Sequence, residues 1–270
     1  MKETRRRHMC GIFGFVLRKP VEMAVVFEVL QRLEKHQYPN EKNPVGGYGA
    51  GVAVLTSSGE VLLEKTGKVD GSPAEYLSRI CGVQRASVLI GHVRFPSPEF
   101  MDTAHLKETA QPYAVQCFSK LVVISAHNGY VANYEDLRKR LGAGHFFESE
   151  RKATLIDSEV IPHFFEELLV AEENSSKALE GLFSTIEGNN TINLLQVKNG
   201  RLSLHLVHKG KTRGLHVWKN EVGEVVFSSR KEPLTQCFSH ILGGGKFVEH
   251  VAISYGREGN YKETFVFDLP

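Results

Sequence analysis

MCGIFGFV, residues 9–16, is the stretch that decides how this chain is interpreted, because it places a cysteine at the start of an apolar strand. A cysteine that becomes the first residue of a chain carries a thiol that can attack a carbonyl and a free α-amine that can accept the thiol proton. Such an amine titrates near ~7.7–8.0, so it is a usable base at neutral pH, whereas an amide nitrogen is not. The alternative is that Cys10 is a small apolar residue packed in a buried strand.

The composition is that of an ordinary globular protein. The chain has 270 residues, 41% of them hydrophobic, which suits one large domain or two small ones with a core that needs no staple. Its formal charge of +2 gives no reason to expect nucleic acid or an anionic membrane as a partner. Apolar runs stop far short of a membrane span, and the basic segment 1–9 lacks the apolar stretch of an export signal. We therefore expect a cytoplasmic protein.

The cysteines and histidines give no metal motif. Four cysteines are scattered along the chain without a C-x-x-C pair, and the histidines of the core segments lack metal-ligand spacing. We expect His92, His105 and His127 to be satisfied core or loop residues. The sequence therefore predicts neither a metal nor a cofactor.

Apolar alternation and helix periodicity predict an α+β fold. Strands are predicted at 12–17, 49–56, 60–65, 87–93, 121–126, 191–197, 202–207, 214–218, 224–228, 248–254 and 263–267. Helices are predicted at 21–35, 72–80, 133–141, 157–170, 175–186 and 230–242. Many antiparallel hairpins, with the helices in separate blocks, indicate two sheets packed between helical layers. Residues 95–112 form a long loop, and loops of that length are often functional.

Four short motifs lie at the ends of predicted elements. They are Cys10-Gly11, GHVRFPS at 91–97, AHNGY at 126–130 and IDSE at 156–159. Each has an ordinary explanation when taken alone. Arg94 could be half of a surface ion pair, Asn128-Gly129 is a common turn dipeptide, and Asp157 could cap a helix.

Together and in this order, the motifs resemble the class II glutamine amidotransferase domain, a member of the N-terminal nucleophile hydrolases. The resemblance runs from Cys10 to about Leu242 and includes NGYVANYEDL at 128–137. It implies a four-layer αββα sandwich of two mostly antiparallel sheets, formed by a single domain over residues 10–270. This agrees with the pattern of predicted elements.

The resemblance also implies an enzyme that hydrolyses the side-chain amide of L-glutamine to glutamate and ammonia. Cys10 would form a γ-glutamyl thioester, and the Asn128 side-chain amide and the Gly129 backbone N–H would stabilise the oxyanion. Arg94 would hold the substrate α-carboxylate in a bidentate fork, and Asp157 would pair with the α-ammonium. Phe95 is a further expected substrate-binding residue, and the loop that it opens would close over the substrate.

Two departures from the family pattern keep alternatives open. While Met9 remains attached, the proposed base is an amide, so either Met9 is the initiator and is removed or residues 1–9 are a propeptide leader. The segment VGGYGAG at 45–51 lacks the usual arginine and aspartate of the glutamine pocket. It leads into a strand and is predicted to be a bend or a close-packed strand entry.

Three functions follow from these alternatives. The first is an amidotransferase that supplies ammonia to a separate synthase subunit, with self-association left open. The second is a standalone N-terminal nucleophile amidohydrolase acting on another amide. The third is a non-catalytic regulatory module that retains its leader.

Overall fold

Two antiparallel sheets, each covered on one face by helices, make up the structure. This computed structural model describes residues 10–56, 58–118 and 121–268. The strands of the described ranges are β1 Gly11–Glu22, β2 Gly49–Leu55, β3 Val61–Gly67, β4 Arg85–Val93, β5 Tyr113–Val115, β6 Leu121–Val131, β7 Gly188–Lys198, β8 Arg201–Lys211, β9 Leu215–Lys219, β10 Val225–Ser228, β11 Val248–Ile253 and β12 Glu258–Asp268. The helices are α1 Met23–Lys35, α2 Pro73–Ile80, α3 Tyr134–Arg140, α4 Glu148–Lys152, α5 Asp157–Glu172, α6 Ser175–Thr185 and α7 Lys231–Gly244.

In the described part of the chain, the two sheets contain seven and five strands. The first has the order β11-β9-β10-β1-β4-β2-β3 and the second the order β12-β8-β7-β6-β5, and each of these pairings is antiparallel. Helices α1, α2 and α7 pack on the outer face of the first sheet, and α3, α5 and α6 on the outer face of the second. The predicted four-layer αββα sandwich is therefore confirmed.

Alternation along β1 explains how one strand serves two cores. Phe13 and Phe15 point towards α1 and α7, whereas Ile12 and Val16 point into the apolar layer between the two sheets. Side chains alternate between the faces of a strand, so a strand buried on both faces is apolar throughout. Burial of one such side chain contributes roughly 1.5–3 kcal/mol. Cys10 directly precedes this strand.

Most predicted elements are present, but their ends differ. The strand predicted to stop at Ala126 continues to Val131, because β6 pairs with β7 over its whole length. The polar His127 is tolerated inside this strand because both its ring nitrogens are hydrogen-bonded. β5 and α4 were not predicted. The long loop contains two short 3-10 helices, Pro98–Thr103 and Lys107–Thr109.

The glycine-rich segment at 45–51 enters a strand, as predicted. Gly49 opens β2 with a φ of +149°, a region that favours glycine. A Cβ on Gly51 would lie 2.2 Å from the carbonyl oxygen of Gln111. Gly51 therefore leaves the room in which the 95–112 loop packs directly on the backbone of β2.

Two of the predictions concern residues that the structure does not describe, or describes only in part. The predicted leader, residues 1–9, falls outside the described residues. The assignment of residues 10–270 to one domain stays a prediction. Within the described ranges, none of the helices has the length and apolar character needed to cross a membrane.

Candidate functional site

One narrow cleft gathers residues from the ends of several strands and the start of a helix. Cys10 precedes β1, Arg94 and Phe95 follow β4, Gly129 lies in β6, and Asp157 begins α5. All five line the cleft. The remaining lining residues are Pro96, Ser97, Phe100, Thr109, Gln111, His127, Ile156 and Ser158. The structure thus brings together five of the six predicted site residues, which are separated by up to 147 positions in the sequence.

The Cys10 thiol lies against the backbone of Phe95. The Phe95 N–H donates to the sulfur at 3.4 Å, and the sulfur lies 3.6 Å from the Phe95 carbonyl oxygen. Burial raises the pKa of the thiol, and the Phe95 N–H and the charges of Arg94 and Arg213 oppose that rise. The half-buried side chain lines the cleft and precedes β1 instead of lying within it.

Arg94 is a buried cation. Its side chain is 3% exposed, and its Nη1 donates to Thr109 Oγ1 at 2.6 Å. Within the described part of the chain, no carboxylate lies within 4.0 Å of it, so the surface ion-pair alternative is wrong. A buried charge is costly unless it is paired. An anionic group entering the cleft would supply the missing counter-charge.

Asp157 supplies a buried carboxylate. Its Oδ2 accepts from the Val131 N–H at 2.9 Å, and its Oδ1 accepts from the Ser158 hydroxyl at 3.3 Å. Burial raises the pKa of Asp157 to about 6. The N-cap of α5 is Ile156, which makes no side-chain cap bond, so the alternative that Asp157 caps this helix is wrong. The carboxylate instead joins α5 to the end of β6.

The neighbouring His127 does not neutralise the charge of the Asp157 carboxylate. Its Nδ1 lies 4.0 Å from Asp157 Oδ2, but burial lowers the pKa of the imidazole to about 4. The ring is therefore neutral near pH 7. It bonds Ser158 Oγ at 3.0 Å and Asn190 Oδ1 at 2.9 Å, which confirms the prediction of a satisfied histidine at this position. At His92 the same prediction is wrong, because neither of its buried ring nitrogens has a hydrogen-bond partner among the described residues.

Asn128 and Gly129 lie inside β6, so the turn alternative is wrong. Asn128 is fully buried and does not line the cleft, and among the described residues neither of its amide atoms has a hydrogen-bond partner. The amide atoms of Asn193, which lies on β7 opposite Ala126, also have no hydrogen-bond partner among the described residues. Buried amides are almost always bonded, so an unpaired one beside a cleft requires an explanation.

Gly129 has a backbone that other residues cannot adopt without strain. Its φ is +150°, and a Cβ would lie 2.1 Å from the carbonyl oxygen of Asn189. A side chain here would push β6 away from β7. The glycine therefore keeps the strand in register beside the cleft.

Sequence reasoning missed the residues that hold the wall of the cleft. Gln111 Nε2 donates to the His127 carbonyl oxygen at 3.2 Å and to Ser158 Oγ at 3.1 Å, while its Oε1 accepts from the His127 N–H at 2.7 Å. Thr109 holds Arg94. Both lie in the long loop, where polar residues follow no period that could have identified them.

A buried charge cluster behind Cys10 was also missed. Glu41 Oε1 accepts hydrogen bonds from the guanidinium groups of Arg213 and Arg230. One carboxylate between two guanidinium groups leaves a positive excess, and the charge of Arg213 reaches the Cys10 thiol. The Arg230 guanidinium also lies over the Tyr38 ring, 4.3 Å from its centroid. More than 170 residues separate Glu41 from the arginines, so no local motif could indicate this cluster.

Tyr48, in the segment where the family pattern is altered, contacts two residues that line the cleft. Its N–H donates to the Arg94 carbonyl oxygen at 3.0 Å, and its ring centroid lies 4.8 Å from that of Phe95. The 45–51 segment therefore contacts the candidate site directly.

Comparisons with known proteins agree with this fold and motif set. A family model described as a glutamine amidotransferase domain matches residues 101–236. The chain is 30% identical over 206 residues to a glutamine–fructose-6-phosphate aminotransferase (isomerizing) of Sulfurisphaera tokodaii, covering 74% of this chain and 30% of that protein. For the enzyme of the same name from Sulfolobus acidocaldarius, the identity is 31% over 186 residues, with 67% and 27% covered. The chain thus spans less than a third of the length of these relatives.

Two solved structures share the fold. One is described as the allosteric regulatory enzyme of purine biosynthesis, with a TM-score of 0.63 and 16% identity over 94% of this chain and 48% of that one. The other is the glutamine phosphoribosylpyrophosphate amidotransferase of B. subtilis, with a TM-score of 0.56 and 17% identity over 94% and 49%. At this level of identity the likeness concerns the fold.

Proposed function

The chain belongs to the family of glutamine amidotransferase domains, and we propose that it is a class II enzyme that hydrolyses the side-chain amide of L-glutamine to glutamate and ammonia through Cys10. One observation carries the proposal. The half-buried Cys10 sulfur shares a cleft with a guanidinium that has no carboxylate partner in the described chain, Arg94, and with a buried carboxylate, Asp157.

The charges in the cleft support an amino acid as substrate. Arg94 would bind the α-carboxylate through two parallel N–H···O bonds, a geometry that lysine cannot reproduce. Asp157 would accept from the α-ammonium. A ligand with both charged groups and a distal amide that reaches the thiol is glutamine.

The proposed reaction needs one base, one nucleophile and an oxyanion site. The Cys10 sulfur attacks the amide carbon as the α-amine takes the thiol proton, and a C–S bond forms. The C–N bond then breaks, and the protonated amine returns its proton to the leaving ammonia. Water hydrolyses the resulting γ-glutamyl thioester to glutamate and regenerates the thiol.

The unpaired Asn128 amide and the Gly129 N–H are the proposed oxyanion donors. The support for this role is that the buried Asn128 amide has no hydrogen-bond partner among the described residues and that Asn128 directly precedes Gly129, which lines the cleft. One such donor is worth roughly 2.7–4 kcal/mol of activation free energy. The Phe95 ring, beside the thiol, would contact the substrate chain.

We also propose that the ammonia passes to an acceptor protein. The support is that the similar proteins are named as aminotransferases and amidotransferases. The proposed acceptor is a synthase subunit that binds this domain.

Covalent labelling tests the proposed nucleophile. A chain beginning at Cys10 is incubated with a diazoketone analogue of glutamine, and the modified residue is located by peptide mass spectrometry. We expect one adduct, on Cys10, and competition by glutamine. Labelling of another cysteine, or labelling that glutamine does not slow, would contradict the proposal.

A second candidate function is hydrolysis of a different amide. The observation that favours it is the Tyr48 ring against Phe95, at the position where the family pattern has a different pocket wall. Rates of thioester formation with glutamine, asparagine and γ-glutamyl peptides separate the two candidates. A faster reaction with a substrate other than glutamine would favour the second.

A further inference from the structure

Beyond the cleft, four potential metal ligands from three separate segments converge. Cys117 lies between β5 and β6, His145 lies between α3 and α4, and His163 and Glu166 lie on one face of α5. One ligand atom from each lies within 4.8 Å of all the others. The two α5 residues follow Asp157 by roughly two turns, about 9–14 Å along the helix, so the cluster is distinct from the cleft.

The spacing of these atoms fits a tetrahedral ion. His163 Nδ1 lies 3.3 Å from Cys117 Sγ and 3.2 Å from His145 Nδ1. Zinc bonds of ~2.0–2.1 Å to nitrogen and ~2.3 Å to sulfur place neighbouring tetrahedral ligands roughly 3.3–3.6 Å apart. The fourth donor is slightly farther away, with Glu166 Oε2 at 4.0 Å from His145 Nδ1. A small rotation of this carboxylate would complete the set.

A carboxylate outside the cluster orients one of the histidines. His145 Nε2 lies 2.9 Å from Glu167 Oε1, so this nitrogen donates its proton to the carboxylate. Its Nδ1 then carries a lone pair directed at the cluster. Metal-bound histidines characteristically donate their second N–H to a carboxylate or carbonyl in this way.

The cluster also contains a buried oxygen without a partner. Glu166 is 0% exposed, and its Oε1 accepts from the backbone N–H groups of Cys117, at 2.8 Å, and Phe118, at 3.2 Å. Its Oε2, which faces the other donors, has no hydrogen-bond partner among the described residues. A buried carboxylate oxygen is costly to leave unpaired, and a cation between the four donors would satisfy it.

We propose that Cys117, His145, His163 and Glu166 form a zinc site. Four protein ligands close the coordination shell, which is the arrangement of structural rather than catalytic zinc. On binding, the Cys117 S–H bond breaks, a Zn–S bond forms and the proton leaves to solvent. The site ties α5, whose first residue lines the cleft, to the loops before β6 and α4. The absence of C-x-x-C spacing concealed it, because its donors span residues 117 to 166.

Metal analysis of the purified, tag-free chain is the first test. Grown with zinc, the wild type should retain about one zinc ion per chain after dialysis, as a closed site would. Cys117→Ser should lose it, whereas the matched variant Cys237→Ser, at a buried cysteine on α7, and Cys10→Ala should keep it. Absence of zinc from the wild type, or its retention in Cys117→Ser, would overturn the proposal.

Cobalt substitution gives a test that does not depend on any variant folding. The wild type loaded with Co²⁺ should show a thiolate-to-cobalt charge-transfer band and the strong visible bands of tetrahedral geometry.

Glu167→Gln should weaken zinc binding roughly 10–100-fold, because it removes the carboxylate that orients His145. A cobalt spectrum without a thiolate band would mean that the four side chains only bond one another.

Discussion

The Cys10 thiol is held in a form that cannot react without a base. Burial raises its pKa, so at neutral pH the sulfur is protonated despite the nearby charges of Arg94 and Arg213. The α-amine of the same residue is the proposed acceptor of that proton, because it titrates close to neutrality. The proposed chemistry therefore requires that no peptide bond joins Cys10 to a preceding residue.

Replacing the nucleophile should abolish activity while leaving the fold intact. We expect Cys10→Ala to reduce glutamate release to background and to change the free energy of unfolding by no more than about 1 kcal/mol, because the half-buried side chain fills little core volume. Glutamate assays and denaturant unfolding measure the two effects. Cys237→Ala, at a buried cysteine in the α1–α7 core, should retain activity. Turnover by Cys10→Ala would rule out the mechanism.

Arg94 should determine how tightly glutamine binds. Arg94→Lys loses the bidentate fork and the Thr109 bond, so we expect KM to rise by roughly 10–100-fold, equivalent to 1.5–3 kcal/mol for a charged hydrogen bond. Steady-state kinetics measure this. Arg85→Lys is the matched control, since Arg85 begins β4, the strand that Arg94 directly follows, but is exposed and paired with Glu22. An unchanged KM in Arg94→Lys would move the carboxylate site elsewhere.

The raised pKa of Asp157 predicts a pH dependence of substrate binding. Asp157 ionises as the pH rises through about 6, so attraction for the α-ammonium is present above this pH and is lost below it. In the Cys10→Ala background, where no chemistry occurs, the Kd for glutamine should rise between about pH 7 and pH 5. Calorimetric titrations measure it. The double variant with Asp157→Asn should bind weakly at both pH values, and a retained pH dependence would assign the titration to another group.

Sequence could predict the residues that lie next to a strand end, but not those that hold them. Cys10, Arg94 and Asp157 flank strong apolar or helical patterns, which placed them at the ends of elements, and the family resemblance implied their roles. No local sequence pattern marks Thr109 or Arg213, because their roles depend on contacts with residues that are distant in the sequence. Asn128 was predicted from a resemblance, and only the structure reveals that its amide is unpaired.

At the scale of elements, β6 matters most because it carries polar residues through the middle of a sheet. Sequence patterns ended the strand at Ala126, since His127 and Asn128 break the apolar run. The structure continues it because hydrogen bonds from Ser158 and Asn190 replace those that water would provide to His127. β5 and α4, with three and five residues, are too short for a periodic pattern to indicate them.

Gly129→Ala tests whether this strand must adopt its unusual backbone. A Cβ would lie 2.1 Å from the Asn189 carbonyl oxygen at a φ of +150°, so β6 and β7 must separate locally. We expect the free energy of unfolding to fall by about 1–3 kcal/mol from backbone strain, and glutaminase activity to fall with it. Gly82→Ala is the control, because nothing lies within 4 Å of its Cβ position. Equal stability of the two variants would contradict the prediction that a side chain at position 129 strains the backbone.

At the scale of the whole molecule, two facing sheets bring distant segments to one point. β1 and β4 are neighbours in the seven-stranded sheet, and β6 lies in the other sheet, so the cleft exists only when the layers stack. Alternation and helix blocks were sufficient to predict the four layers. They could not predict the partners across the layers, such as Glu41 with Arg213, because such pairs leave no trace in local sequence.

The most direct test is glutamate release by a chain that begins at Cys10, compared with a chain that retains residues 1–9. Intact mass spectrometry verifies each N-terminus, and the Cys10→Ala form of each provides the background. The account predicts turnover only in the first, because only there can the α-amine of Cys10 accept the thiol proton. Equal turnover with Met9 still attached would contradict it, since the base would then have to be another group.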